Sequence, residues 1–354
     1  MTRTRSIIGR LTAGTLMATS ISLAAQEWEV PEKTLSPAAG LSDEVRALIA
    51  GMGPPDYETM ANIKPQSREE LRQFVDMMNA QNPLTMEVHE TTFGVQIESA
   101  EMAGVMVHTV LPSAIDPVFK DKIFIHIHGG GYFIGSGAQA ALEASIIAST
   151  AGIKVVSVDY TLATEKPFPA ALDDVVAVYR ELLKTVPASA IGMGGTSAGG
   201  GLTLATVHQL KNLDLPVPGA LFAGTPSADL LQTGDTWITN EAVDNIIVTG
   251  RGLVMSASRL YAAGEDMTNP LISPLYGDFS DFPPTYLVSG TRDMLLSDTV
   301  RVHRKLREAG VIADLNVFEG LPHGAYVGVP GSREYNGTFS DLKDFLAAHL
   351  TVSR

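Results

Sequence analysis

From about residue 91 onward, short runs of apolar and β-branched residues alternate with stretches whose apolar positions recur every three or four residues. "KIFIHIH" (122–128), "KVVSVDY" (154–160), "AIGMGGT" (190–196), "GALFAGT" (219–225), "TYLVSG" (285–290) and "ADLNVFEG" (313–320) have the composition of buried strands ended by glycine or polar residues. The stretches between them read as helices. In "ALDDVVAVYRELLK", Val175, Val178, Tyr179, Leu182 and Leu183 fall on one face at helical spacing. "SDTVRVHRKLREAG" opens on a Ser-Asp cap signal and stops at Gly310. Alternation of this kind predicts a mostly parallel sheet covered by helices on both faces. "TTFGVQIES" and "MAGVMVHTVLP" predict an antiparallel hairpin at its edge, bringing the sheet to eight strands.

Two regions break the alternation. Residues 25–90 are helical in pattern, with "SDEVRALIAGMG" and "SREELRQFVDMMNAQ" separated by "PPDYETMANIKP", and residues 226–273 interrupt the sheet. Both are read as cap segments over the carboxyl ends of the strands, where open α/β sheets keep their sites. The organisation expected is a signal peptide (1–24), an N-terminal helical cap segment (25–90), a core (91–225 and 274–352) and a cap insertion (226–273). The signal is read from the basic start at Arg3, Arg5 and Arg10, the apolar "LTAGTLMATSISLAA", and small residues at Ser22 and Ala24. It predicts export to the periplasm or the medium, with no stable membrane insertion after cleavage.

Composition narrows the partners. The 354 residues are 45% hydrophobic and 18% charged, enough for a large core. The formal charge of -14 argues against nucleic acid or an anionic membrane surface as the main partner. There is no cysteine, so neither disulfides nor thiolate chemistry enter.

The chemistry centres on "GMGGTSAGGG" (192–201). Gly195-Thr196-Ser197-Ala198-Gly199 is a G-x-S-x-G sequence between an apolar strand and the helix pattern "LTLATVHQL". In a strand-to-helix elbow the flanking glycines give clearance, and the serine hydroxyl is presented at a helix N-terminus. A glycine-rich turn with an incidental N-cap serine also fits those five letters. A phosphate loop does not, since no G-K-[S/T] ending or nearby lysine follows. A serine nucleophile needs a base held by a carboxylate, both downstream in this chain order. Of the later histidines, His208 and His303 fall inside helix patterns and His349 in the terminal helix, leaving His323 in the loop "GLPHGAY". Asp293 in "VSGTRDMLLSD" follows a strand end directly, with Asp298 in reserve and Glu319 on or near the last strand. Upstream, His128-Gly129-Gly130-Gly131 follows a strand, and consecutive glycines suit backbone donors to an oxyanion. The N–H of Ala198 is the further donor; His128 is read as loop support.

With these motifs in place, the chain resembles the bacterial hormone-sensitive-lipase (family IV) esterases of the α/β-hydrolase fold over roughly residues 85–350. The matches are "HGGG", "DYTLATEKPFPAALDD", "GTSAGG", "RDMLLSD" and "PHGAY". The resemblance implies a triad of Ser197, Asp293 and His323, with Gly130 and Gly131 as oxyanion donors. Thr196, where the family more often has Asp, points to its Gly-Thr-Ser-Ala-Gly branch. The family's "DYRLAPEHPFPAA" becomes "DYTLATEKPFPAA", with Thr161, Thr164 and Lys166 as departures that imply a different brace for the glycine loop. Dimers are common in the family, so a homodimer is expected as possible.

The function expected is a serine carboxylesterase acting on small, short- to medium-chain acyl esters, without metal or organic cofactor. A lactonase or polyester-fragment hydrolase would use the same residues; a non-catalytic binder on a hydrolase scaffold is the reading from another class. Tyr132 and Phe133 are candidates for the substrate pocket, with core burial as the plain alternative. Met77 and Met78 are weaker candidates in the cap.

Overall fold

The computed structural model describes residues 32–80 and 84–352. The chain divides into two units, residues 1–36 and 37–354. In the first, residues 32–36 are the described ones, and they have no regular secondary structure. The signal peptide expected over residues 1–24 lies outside the described residues.

In the second unit, eight strands form one sheet: β1 (Val95–Met102), β2 (Val105–Pro112), β3 (Ile123–Ile127), β4 (Lys154–Val158), β5 (Ile191–Thr196), β6 (Ala220–Gly224), β7 (Thr285–Gly290) and β8 (Ala313–Phe318). Their spatial order is β1-β2-β4-β3-β5-β6-β7-β8. The edge hairpin β1–β2 and the β2–β4 pair are antiparallel; the remaining pairs are parallel. Ala103 and Gly104 turn the hairpin with φ of 54° and 84°, the positive values a tight hairpin demands. Every residue of β3, β6 and β7 is buried, which explains their unbroken apolar runs.

The helices are α1 (Asp43–Met52), α2 (Tyr57–Asn62), α3 (Arg68–Asn79), α4 (Met86–Phe93), α5 (Ala140–Ala151), α6 (Ala170–Leu182), α7 (Ala198–Asn212), α8 (Thr236–Thr239), α9 (Leu253–Ala262), α10 (Leu296–Glu308) and α11 (Arg333–His349). Successive strand residues face opposite ways, so each strand feeds two cores. Ile125 and Ile127 pack with Val175 of α6, Leu202 of α7 and Val302 of α10. Phe124 and Val155 pack with Val45 of α1, Ile147 of α5 and Phe339 of α11 on the other face. Burial of each such side chain contributes about 1.5–3 kcal/mol relative to exposure.

The expected cap signal of α10 is corrected. The helix begins at Leu296, and its N-cap residue Leu295 makes no side-chain cap bond. Ser297 Oγ instead accepts from Thr236 N at 2.9 Å, and Asp298 accepts from Ala228 N at 3.0 Å and Asp229 N at 2.9 Å. The insertion has claimed both side chains, because its own backbone donors would otherwise be buried without partners.

Among the described residues, four helices, α1 to α4, precede the sheet. In α3, Leu71, Phe74, Val75 and Met78 recur at helical spacing, and Ser67 caps the first turn by accepting from Glu70 N at 3.2 Å. Leu71 and Val75 pack on Leu253 and Ala257 of α9 and on Phe133. The two irregular regions therefore share a single apolar cluster, despite being far apart in sequence. Arg68 at the start of α3 also donates to Glu165 O at 2.8 Å. Among the described residues, no helix is long and apolar enough to cross a membrane.

Candidate active site

Ser197 joins β5 to α7 at φ 63° and ψ -123°, values that strain any residue but glycine. Two backbone bonds over-determine this turn: Ser197 N donates to Gly224 O at 2.8 Å, and Ser227 N donates to Ser197 O at 3.0 Å. The neighbouring glycines have a steric reason. A Cβ at Gly195 would lie 1.8 Å from Ile127 O, and one at Gly199 would lie 1.9 Å from the same oxygen. The end of β3 thus presses on both sides of the elbow. Gly199, Gly200 and Gly201 belong to the first turn of α7, not to a loop before it. Ala198 opens that helix, where backbone N–H groups lack intrahelical acceptors.

The glycine loop follows β3. Gly130 and Gly131 have φ of 103° and 58°, and Phe133 N and Ile134 N both donate to Gly130 O at 3.0 Å, closing a tight turn. His128 is stacked on Tyr160 with ring centroids 4.0 Å apart, and its Nδ1 bonds Gly129 O at 2.7 Å. Tyr160 OH donates to His128 O at 3.0 Å, and Ala163 N donates to Tyr132 O at 2.8 Å. Residues of the "DYTLATEKPFPAA" segment therefore brace the loop through a ring stack and backbone bonds, using neither Thr161 nor Lys166 side chains in these contacts. Burial, only partly offset by the bond to Gly129, pushes the His128 imidazole down to about 4. It is a neutral strut.

His323 lies in the loop after β8, and Asp293 in the turn after β7. Their loops are laced together: Arg292 N donates to Leu321 O at 3.2 Å, and Gly320 N donates to Thr291 Oγ1 at 2.7 Å. His323 Nδ1 meets Asp293 Oδ1 at 3.0 Å, with Asp293 fully buried. That carboxylate is further held by Leu295 N at 2.7 Å, Ser289 Oγ at 3.2 Å and a short bond from Thr225 Oγ1. Nδ1–H donating to a carboxylate leaves Nε2 as the free base. Burial alone would lower the imidazole; the charge and hydrogen bond of Asp293, then the charge of Asp244, reverse this and raise it above 6.5.

The other candidates lie elsewhere. Asp298 is buried against Ala228 N, Asp229 N and Trp237 Nε1. Glu319 bonds Gly40 N at 2.9 Å on the surface. His208 is wedged between Phe279 and Phe282 and bonds Pro274 O at 3.1 Å; burial lowers it to about 4. His349 rests on Phe345 with ring centroids 4.4 Å apart.

Ser197, His323 and Gly129–Gly131 line one cavity of about 560 Å³. Its remaining wall is mainly apolar, including Met60, Met78, Trp237, Leu253 and Ala257. Tyr132 and Phe133 line it as well, and both are also buried in packing, Tyr132 stacked on Tyr261 at 4.0 Å. Both readings of these two residues hold at once. Met77 is 55% exposed, and of the methionine pair it is Met78 that faces the cavity. Among the described residues, no group of three or more His, Cys, Asp or Glu side chains is arranged to hold a metal ion.

Four contributors went unread in the sequence: Thr225, Asp244, Glu143 and Tyr326. Thr225 had a signal, since it directly follows a buried strand at the carboxyl edge of the sheet. The others reach the site only through tertiary packing.

Comparison with known proteins agrees with this fold. A family model described as the alpha/beta hydrolase fold matches residues 124–327. An esterase of Acinetobacter venetianus is 28% identical over 256 residues, covering 72% of this chain and 80% of that one. An acetyl-hydrolase of Streptomyces hygroscopicus is 34% identical over 198 residues, covering 55% of this chain and 66% of that protein. Among solved structures, one esterase superposes with a TM-score of 0.88 at 39% identity, covering 92% of this chain and 99% of that one. An esterase from the bacterial hormone-sensitive lipase family superposes with a TM-score of 0.74 at 32% identity, covering 88% and 99%.

Proposed function

We propose, on the premise that the chain belongs to the bacterial hormone-sensitive-lipase family of α/β-hydrolases and is a carboxylic ester hydrolase, that it works as a serine esterase with Ser197 as nucleophile, His323 as base and Asp293 as the acid that orients it. The contact of His323 Nδ1 with Asp293 Oδ1 at 3.0 Å, on the wall of a cavity shared with Ser197, is the observation that supports this reading most directly.

Ser197 Oγ attacks the ester carbonyl carbon while His323 Nε2 takes the hydroxyl proton. The carbonyl oxygen becomes an oxyanion, met by the N–H groups of Gly130, Gly131 and Ala198. Loss of one such donor costs about 3–4 kcal/mol of transition-state stabilisation. As the tetrahedral centre collapses, the bond to the alcohol oxygen breaks and the imidazolium gives that oxygen its proton. Water then attacks the acyl-enzyme, His323 takes a proton from it, and the same proton returns to Ser197 Oγ as the carboxylic acid leaves. Asp293 holds the tautomer and the imidazolium charge throughout.

The apolar wall favours uncharged acyl groups, and a cavity of about 560 Å³ suits short to medium chains. The acetyl-hydrolase name of one relative points to the short end of that range. The basic and apolar stretch at residues 1–24 supports export of the chain. Initial rates on a series of acetyl to dodecanoyl esters test the reading, with Ser197→Ala as control. The expected result is a maximum at short or medium chains and loss of about 10⁴-fold or more in kcat for the variant. Full activity of Ser197→Ala would overturn it.

A further inference from the structure

The insertion delivers one side chain to the back of the acid–base pair that the scheme above leaves without a role. Asp244 lies between α8 and α9 and has no solvent exposure. Its carboxylate accepts from Ile246 N at 2.8 Å and Ile247 N at 3.3 Å, an ordinary turn within its own segment. It also accepts from two N–H groups far away in sequence. Met294 N reaches Oδ2 at 3.0 Å, and His323 N reaches Oδ2 and Oδ1 at 3.3 and 3.4 Å. Met294 is the residue after Asp293, and His323 is the base. A single buried carboxylate from the insertion therefore joins the two loops that carry the acid and the base.

The segment presenting Asp244 is itself held under strain. Ala242 N donates to Val248 O at 2.8 Å, closing a small ring of chain around Asp244. Both closing residues have positive φ, 59° at Ala242 and 64° at Val248, a conformation that a β-branched residue rarely adopts. Strain of this sort persists where surrounding contacts over-determine it.

We infer that Asp244 is a positioning residue for the ester hydrolysis, fixing His323 against Asp293 and adding a second negative charge behind the imidazolium. The inference rests on the assignment of Ser197, His323 and Asp293 proposed above. The groups facing His323 come from three directions. Asp293 lies in the turn after β7, Asp244 in the insertion, and Thr225 after β6 with Oγ1 at 3.4 Å from Nδ1. Tyr326, three residues on in the same loop, bonds the Thr196 hydroxyl, through which Glu143 of α5 is linked to the elbow. Of these, Asp293 and Asp244 act to raise the imidazole. Asp244 is itself held above the ordinary carboxylate range by burial and by the charge of Asp293.

The test is Asp244→Asn, which keeps the volume, removes the charge and turns one acceptor oxygen into a donor. Steady-state kinetics across pH, with melting curves, are compared for wild type, this variant and Ser197→Ala. The expected result is a fall in kcat of about tenfold or more with KM nearly unchanged. The acid limb of the kcat/KM profile should also move down by about half a pH unit or more. A folded variant with the limb unmoved, even if it melts earlier, would reduce Asp244 to a purely structural part and overturn the inference. Should the Asn variant not fold, Asp244→Ser carries the same measurement with less polar surface to bury. Activity retained by Ser197→Ala would instead show that the underlying assignment had failed, a result distinct from either outcome for Asp244.

Discussion

The hydroxyl of Thr196, the residue before Ser197, donates to the carboxylate of Glu143, which reaches it from α5 across 53 residues of chain. Thr196 N donates to the same carboxylate at 3.2 Å, and His126 Nε2 meets it at 3.0 Å. The Thr196 hydroxyl also pairs with Tyr326 OH at 2.7 Å, so the serine elbow and the histidine loop are tied through one side chain. Thr196→Val keeps the shape and deletes the hydroxyl, leaving Glu143 and Tyr326 short of a partner. The expected loss is about 1–3 kcal/mol of stability, read as a lower melting temperature, together with a drop in kcat.

The raised imidazole of His323 sets the direction of the pH profile. The base must be neutral, so kcat/KM should rise with pH through a midpoint above 6.5 and level off in mildly alkaline buffer. A folded-state value above the unfolded one also stabilises the fold below about pH 6.5, a contribution that fades as pH rises through the folded value. A midpoint below 6 in wild-type protein would contradict the geometry around His323.

Gly199 has no room for a side chain. A Cβ there would stand 1.9 Å from Ile127 O and 2.7 Å from His128 O, both backbone atoms of the strand and loop that frame the site. Gly199→Ala is expected to destabilise by about 3 kcal/mol or more and to cost most of the activity. Denaturant unfolding and residual kcat measure the two effects separately.

Ala257 lines the cavity and belongs to the cluster shared by α3, α9 and Phe133. Ala257→Phe should fill the acyl space and cut kcat/KM for octanoyl esters about tenfold or more, with acetyl esters changed much less. Equal losses on both substrates would mean that this wall does not meet the acyl chain.

Asp298 offers a stability measurement away from the chemistry. Burial, followed by the charge of Asp229, pushes its carboxyl up to about 8 against the pull of its N–H donors. A carboxyl raised in the fold binds its proton there and loses it in the unfolded chain, so it withdraws stability as pH rises from about 4 to 8. Asp298→Asn removes that dependence. The stability of wild type relative to the variant should fall by up to about 1.4 kcal/mol per pH unit across the window.

Much of this molecule was legible from local pattern. Strand-helix alternation and the edge hairpin follow from periods of two and 3.6, which the chain enforces over a few residues. The elbow at Ser197 and the glycine loop at Gly130–Gly131 were legible because each is spelled in one short run of the chain, although the atom that demands glycine at 195 and 199 is Ile127 O of another strand. The Ser297–Asp298 cap signal misled for a reason of the opposite kind: buried donors of the insertion outcompeted the helix end for those two side chains.

The sequence by itself determined the sheet, the elbow and the order in which a serine, an acid and a histidine arrive at one edge of it. Only the tertiary structure decided which carboxylate meets His323, that Asp244 and Thr225 stand behind that pair, and that Glu143 holds Thr196. These contacts join residues 30 to 98 positions apart, so no local preference specifies them. They exist because a buried carboxylate must find donors, and the fold brings those donors from separate loops.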